Sequence, residues 1–323
     1  MGKVTINDVA KAAGVSRSLV SIAYRGVQGV SEATAEHIFQ VGKKLGYVPN
    51  LNAARLASKK LNTIGVFLQD LHNEVFADVF DGIRAVLDKG DSQVVLAVGS
   101  AEPGHDASAL DTLIASQVDV IIAAGLTMSD SQLAKYANRT KIISVTRKAP
   151  QVSSVTSDDY HGAKLAVNHL ISRGHSKIAF LANPQTDGYT DRLRGYQDAV
   201  KQAGLKPMIQ QTTYARVQAE LDAVKLIAKK PTAIFAHNDM AALGVIDALI
   251  SAGLKPGQDI HVVGFDNTSL SQTPVLALTS IDPKSHALGE EAAKIALNML
   301  KPSAKKQESV QLTPTLVIRS TAP

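Results

Sequence analysis

The chain of 323 residues contains no cysteine. That removes disulfides, thiolate metal sites and cysteine nucleophiles together, and it suits a reducing compartment. Long apolar runs are also missing: the longest, 118–126, is interrupted by Asp119 and is far too short to span a bilayer. The opening MGKVTINDVAKAAG holds no apolar stretch fit for a signal peptide, so a cytoplasmic protein with no membrane partner is expected. Without secretion, the N-x-S/T triplets at Asn138 and Asn267 are chance matches. Neither phosphate-loop glycine pattern, G-x-x-x-x-G-K-[ST] or G-x-G-x-x-G, occurs, and H-E-x-x-H is absent too. The nine histidines are scattered; His169, His175 and His286 read as helix or helix-end residues rather than a metal set. No serine sits in a nucleophile elbow. Catalysis, a cofactor and a resident metal are therefore not expected.

What is present is a globular composition, 45% hydrophobic and 20% charged, in a chain long enough for two or three compact units. The net charge of +5 is informative once divided. Residues 1–60 carry nine Lys and Arg against three acids, whereas the rest carries 25 bases against 26 acids. A solvated basic tail is the plainer reading, but this segment is patterned for helices, which points to a nucleic-acid surface.

Thr5 followed by Asp8 is a capping-box-like start, with Val9, Ala10 and Ala13 on one helical face and Gly14 as the stop. Ser16 caps a second helix to about Tyr24, with Leu19, Val20 and Ala23 inward. Ser31 caps a third, in which Ala35, Ile38, Phe39, Gly42 and Leu45 repeat at helical spacing up to Gly46. Two short helices joined by a glycine turn and braced by a third make a helix-turn-helix. Its second helix enters the major groove, with Arg17, Ser18, Ser21 and Ile22 as outward residues. Arg17 can donate two hydrogen bonds to guanine, while Ile22 offers only apolar contact, as to a thymine methyl. An exposed arginine is otherwise simply solvated.

From Thr63 onward the pattern is α/β. Strand-like runs at 64–68, 94–98, 118–124, 142–145, 178–181, 233–236 and 260–265 alternate with helical stretches such as 76–88, 162–172, 193–203, 218–228 and 241–252. Such alternation gives parallel sheets with helices on both faces, and ligands beyond the carboxyl ends of the strands. Two sets of similar size, dividing near Ser157-Asp158-Asp159, suggest two lobes around a cleft. Asp70, Asn73 and Phe76 follow the first strand; Arg192, Asn238, Asp239 and Asp266 sit in or just after later ones. Carboxylates, amides, an arginine fork and an aromatic face are what a polyol needs. Asp239 equally suits a helix cap, Asp266 a turn and Phe76 a core position.

Several separated segments, VTINDVAKAAGVSRSLVS, GVSEAT, LGYVPNLNAARLAS and NTIGV, resemble in order the head of the lactose-repressor (LacI/GalR) family. DDYHGAKLAVNHLISRGHSKIAFL, DRLRGY, PTAIFAHNDMAALGV and VVGFDN extend the resemblance over nearly the whole chain. It implies an all-α helix-turn-helix head (1–49), a hinge helix (50–60) and a two-lobed core like that of the periplasmic binding proteins (61–323). In that core the first lobe takes about 61–158 plus 284–312 and the second about 159–283 plus 313–323, so the chain crosses three times, with helix 284–300 returning to the first lobe. The hinge would be capped by Asn50 and closely packed through Ala53, Ala54 and Ala57, with Leu56 as the minor-groove wedge. The DNA-contacting set then comprises Thr5, Ser16, Arg17, Ser18, Ser21, Ile22, Arg25, Ser31, Thr34, Tyr47, Asn50, Ala53 and Leu56. In the cleft, Arg192, Asn238 and Asp266 match effector-contacting positions, and Tyr214 and Phe76 match aromatic ones.

The resemblance implies a regulator, expected to be a repressor, that binds double-stranded, pseudo-palindromic operator DNA as a homodimer under a sugar or polyol effector. Inositol suits the same residues as pentoses and hexoses, and a purine is less favoured. With no leucine heptads after the last lobe, a dimer is expected over a tetramer. The alternative, a solute-binding protein of sugar transport, is disfavoured by the basic head and the missing signal peptide. The sequence departs from the family at Leu19 (usually threonine), at Ala23-Tyr24-Arg25-Gly26, at Thr146 (often aspartate) and at Met240 (often polar).

Overall fold

A computed structural model describes residues 4–25, 29–48, 62–100, 105–213, 215–303 and 307–323. Its contacts divide the chain into units 1–62 and 63–323, each taken by itself below.

The first unit is built from α1 (Ile6–Ala13), α2 (Arg17–Arg25) and α3 (Glu32–Leu45). The Thr5 backbone N–H and hydroxyl both donate to Asp8, at 2.8 and 2.7 Å, fixing the start of α1. Gly14 ends it at φ 66°, a left-handed conformation that an L side chain resists and that the tight turn into α2 requires. Ser16 accepts from the Leu19 N–H and Ser31 from the Thr34 N–H, so each opens its helix as a cap. Val9, Ala10, Ala13, Val20, Ala23 and Ile38 close the small core; Leu19, expected inside, is only half-buried. The Tyr24 departure also has its own accommodation. Its ring lies edge-on to Phe39 and Tyr47, at 5.1 and 5.3 Å, and its hydroxyl lies where a side chain at Gly42 would stand.

The second unit runs β1 (Thr63–Leu68), α4 (Glu74–Leu87), β2 (Gln93–Val98), α5 (His105–Ala115), β3 (Val120–Ala124), α6 (Asp130–Ala137), β4 (Ile142–Val145) and β5 (Ser153–Ser157). It continues with α7 (Asp159–Ser172), β6 (Ile178–Ala182), α8 (Tyr189–Gln202), β7 (Met208–Gln211), α9 (Arg216–Ile227), β8 (Ala233–Ala236), α10 (Asp239–Ser251) and β9 (His261–Phe265). It ends with β10 (Thr279–Asp282), α11 (Ser285–Met299), β11 (Ser309–Leu312) and β12 (Thr315–Val317).

The strands form two six-stranded sheets, β11-β5-β4-β3-β1-β2 and β12-β10-β9-β8-β6-β7. The first is parallel throughout and the second parallel except for β12. The two sheets are the two lobes. In the first, Ile64, Val66 and Leu68 pack against α4 and α11, while Phe67, Ile121 and Ala123 face α5 and α6. The second lobe repeats the plan, Phe180, Phe235 and Phe265 facing α7 and α8, and Leu181, Ile234 and Val262 facing α9 and α10. Alternation along each strand thus buries both faces. Asp119, which breaks the apolar run, accepts the Thr63 N–H at 2.7 Å and so anchors the start of β1. No helix among the described residues is long and apolar enough to cross a membrane.

Strand order reverses between β1 and β3 in one sheet and between β6 and β8 in the other. Such reversals open a crevice at the carboxyl edge, and the residues after β1 and β8 do line one cleft.

Candidate nucleic-acid interface and ligand cleft

On α2, the buried pair Val20 and Ala23 sets the inner face. Arg17 and Ser18 are therefore exposed, and Ser21 and Ile22 half-exposed. The hydroxyls of Ser16, Ser31 and Thr34 are engaged locally: Ser16 bonds Ser18 at 2.9 Å, and Ser31 bonds Thr34 at 2.7 Å. Tyr47 is half-buried on Tyr24. Arg17, Lys11, Lys43 and Lys44 leave the exposed surface of the head basic. Asn50, Ala53 and Leu56 lie outside the described residues, as does Tyr214; Arg25 ends α2.

The cleft of the second unit encloses about 720 Å³, counting space open to solvent. Four helices begin around it, and their first turns supply much of its wall. Asn73 caps α4, accepting the Val75 N–H at 3.1 Å, and Asn238 caps α10, accepting the Ala241 N–H at 2.8 Å. Asp158 caps α7 at His161, which leaves Asp159 facing the cleft from the first turn. Arg192 was expected at a strand end; it lies instead in the first turn of α8, because that helix starts at Tyr189 rather than Leu193. Phe76 is buried in the first lobe's core and also lines the cleft.

Arg192 is held on three sides. Its Nε donates to Asp159 at 2.8 Å, its Nη1 to the His237 carbonyl at 2.6 Å, and its guanidinium lies 3.6 Å from the centre of the Phe265 ring. Asp266 follows β9 at φ 115°, a strained backbone for a non-glycine residue. Its side chain is buried beside Arg192, and burial outweighs that cation, pushing the carboxyl well above the usual range. Burial together with Arg192 holds His237 uncharged, well below the usual imidazole range.

Asp70 is not in the wall of the cleft: its carboxylate turns to His72, accepting the backbone N–H at 2.9 Å. Asp239 neither caps α10 nor lines this cleft. It accepts from Ser280 at 2.6 Å and from the Thr268 N–H and hydroxyl at 2.8 and 2.9 Å, tying α10 to β10 and to the loop after β9. Gln69, Asp159, Gln185 and Asp187 also line the wall without having been named as site residues in the sequence, and Thr146, noted there only as a departure from an aspartate, lines it too. Asp159 carried a signal in its place at the division between the lobes, and Thr146 one in its departure from the family.

Comparison with known proteins accounts for both surfaces. Residues 5–50 match the family model described as bacterial regulatory proteins, lacI family, and residues 167–322 that of the periplasmic binding protein-like domain. The HTH-type transcriptional regulator DegA of Bacillus subtilis is 31% identical over 99% of both chains. The Lac repressor dimer bound to operator and the anti-inducer ONPF superposes with a TM-score of 0.86 at 27% identity, covering 99% of each chain. A LacI-family regulator from Enterococcus faecium with bound ribose superposes at 0.73 with 26% identity, over 81% of this chain and 99% of that one. A reading head and a two-lobed core are shared end to end with such regulators: the chain belongs to the lacI family of bacterial regulatory proteins and is a DNA-binding transcriptional regulator.

Proposed function

We propose that the protein is a repressor that binds a pseudo-palindromic operator as a homodimer and is controlled by a sugar or polyol held between the lobes. The observation that carries the effector reading is Asp266. A nearly buried carboxyl at the carboxyl edge of a sheet, on strained backbone and with no hydrogen-bond partner among the described residues, leaves its hydrogen bonding to the cleft, to solvent or to a ligand's hydroxyls. Asn73, Phe76, Arg192 and Asn238 share its cleft, and Tyr214 joins them by resemblance. The ribose-bound relative is a chemical precedent, and inositol offers hydroxyls of the same kind.

On the DNA side, Arg17, Ser18, Ser21 and Ile22 face the bases. Thr5, Ser16, Arg25, Ser31, Thr34 and Tyr47 sit along the backbone, and Asn50, Ala53 and Leu56 serve the hinge. Dimerisation is supported by exposed apolar side chains on regular elements: Val217, Leu221 and Val224 on one stripe of α9, and Leu96 and Val98 on edge strand β2. The Lac repressor relative is itself a dimer on operator. Ligand acts by binding the two lobe arrangements with different affinity, and it can shift operator binding by no more than that difference.

The test begins with selection of binding sites from randomised duplexes by the full-length protein. Anisotropy follows at two salt concentrations, with and without sugars and polyols at saturation. A palindromic site, a steep salt dependence and release by one compound are expected. Leu56→Ala should weaken operator binding at least tenfold; unchanged binding removes the wedge role. A site without two-fold symmetry removes the dimer.

A further inference from the structure

The charge balance of the cleft deepens this reading, and rests on it. Three carboxylates, Asp159, Asp187 and Asp266, line the cleft against one guanidinium, Arg192, which is already committed to Asp159 and the His237 carbonyl. A further cation, Arg147, lies outside the wall, although its charge is felt by Asp187. It donates to the carbonyls of Leu126 and Met128 and to Asp130. No unpaired cation lines the cleft among the described residues. Three of the four helix N-termini there, which would otherwise attract an anion, carry their own negative or capping groups: Asn73 and Glu74 on α4, Asp158 and Asp159 on α7, Asn238 and Asp239 on α10; α8 follows Gly188 with no side-chain cap, but Asp187 precedes it and Asp191 lies in its first turn.

Asp187 has a placement of its own. It belongs to the loop before α8 in the second lobe, yet its Oδ2 accepts the hydroxyl of Thr146, which follows β4 in the first lobe, at 3.1 Å. Thr146 reaches it from φ 76°, a region that a β-branched residue avoids. Thr146 is also the position where the sequence departs from an expected aspartate. The carboxylate missing from the first lobe is thus supplied at the same rim by the second. The other oxygen of Asp187 has no donor among the described residues, and neither has Asp266. The cleft therefore offers free acceptors and no free cation.

We infer that the cleft takes an uncharged, hydroxyl-rich ligand and excludes its phosphorylated form, with Asp187 as a specificity-determining acceptor delivered from the second lobe. A phosphate would meet the Asp159 and Asp187 carboxylates, and the burial-raised carboxyl of Asp266, where it needs cations, whereas sugar hydroxyls can bond to all three. Asp187 stands at the solvent-open mouth, although the surrounding walls push its carboxyl up to about 6; it therefore carries its charge at pH 7.5.

The experiment is titration calorimetry on the full-length protein at pH 7.5 with matched pairs: ribose and ribose 5-phosphate, glucose and glucose 6-phosphate, myo-inositol and its 1-phosphate. At least one parent compound should bind, and its phosphate should bind at least tenfold more weakly. Asp187→Asn should weaken the parent three- to tenfold, and Asp187→Lys should narrow the gap between parent and phosphate. A phosphate that binds more tightly than its parent overturns the inference while leaving the ligand cleft in place. Undiminished affinity in Asp187→Asn removes the role of that residue. Binding of no member of any pair overturns the sugar-cleft reading itself.

Discussion

Replacing Arg192 by alanine would do two separable things, and the geometry says how large each is. The Arg192 and Asp159 side chains are each 12% exposed, so the pair is nearly buried. Removing the cation leaves Asp159 with an uncompensated charge, strips the donor from the His237 carbonyl and uncovers the Phe265 ring. Breaking one partner of a buried pair costs roughly 3–5 kcal/mol. The cleft admits water, which lessens the penalty, so about 2–4 kcal/mol is expected here. For a unit of this size each kcal/mol moves the unfolding midpoint by about 2–4 °C, giving a drop of roughly 4–16 °C in the core transition. Arg192→Ala/Asp159→Asn, which removes the orphaned charge, should recover about 1–2 kcal/mol of that loss. Effector affinity should fall in both variants, because the fork that positions the cleft wall is gone in both. The assay is thermal unfolding of the three proteins without ligand, followed by calorimetry with whichever sugar binds the wild type. A single variant that loses less than 1 kcal/mol, or a double variant no more stable than the single, would refute the claim that Arg192 neutralises a buried carboxylate. Full effector affinity in the stable double variant would move the ligand away from this wall.

The crossing of α4 and α11 depends on Gly82 and Gly289, since a side chain at either would run into the backbone of the opposite helix, at His286 or Val79. Gly289→Ala gains about 1 kcal/mol of helix propensity but forces the helices apart at a cost of roughly 1–3 kcal/mol or more; a lower midpoint is expected, and an unchanged or raised one shows the helices separate freely. Arg17→Ala should lose roughly 1–3 kcal/mol of operator affinity with relaxed preference at one base pair, whereas a uniform loss across sequences would make Arg17 a phosphate contact. Asp239 is pushed up to about 6 because burial outweighs its bonds to Ser280 and Thr268, so between about pH 4 and 6 the folded core holds a proton that the unfolded chain releases. Its stabilising contribution is therefore complete below about pH 4 and lost as pH rises through 6; Asp239→Asn should flatten the pH dependence of the core midpoint in that window, and identical slopes in the two proteins would show that the carboxyl titrates normally.

The parts of the fold legible in the sequence are those whose signal is local. β1, β3, β6 and β8 are short, nearly unbroken apolar runs, and buried parallel strands leave that trace. β5 is Ser-Ser-Val-Thr-Ser and left none. It is a strand because β4 and β11 pair with it on both sides and because buried Ser153 and Ser154 accept the Glu308 and Ala149 N–H groups. β7, β10, β11 and β12 are three or four residues long, too short for any period to show. Tertiary pairing, not propensity, makes all five strands.

The same division runs through the cleft. Asn73, Asn238 and Asp266 were readable because each follows a strand that reads plainly, and a polar residue there must face the carboxyl edge. Asp187 follows no such marker, and the feature that singles it out is a hydroxyl 41 residues away in the other lobe. Thr146 taken alone looked like a lost carboxylate contact. Only when the two sheets share one rim does the loss become an exchange, with the acceptor moved from one lobe to the other. Half of this acceptor site belongs to each lobe, so a ligand that uses it bonds across the cleft. Such a ligand favours one arrangement of the lobes over the other, as an effector must if it is to alter DNA binding at all.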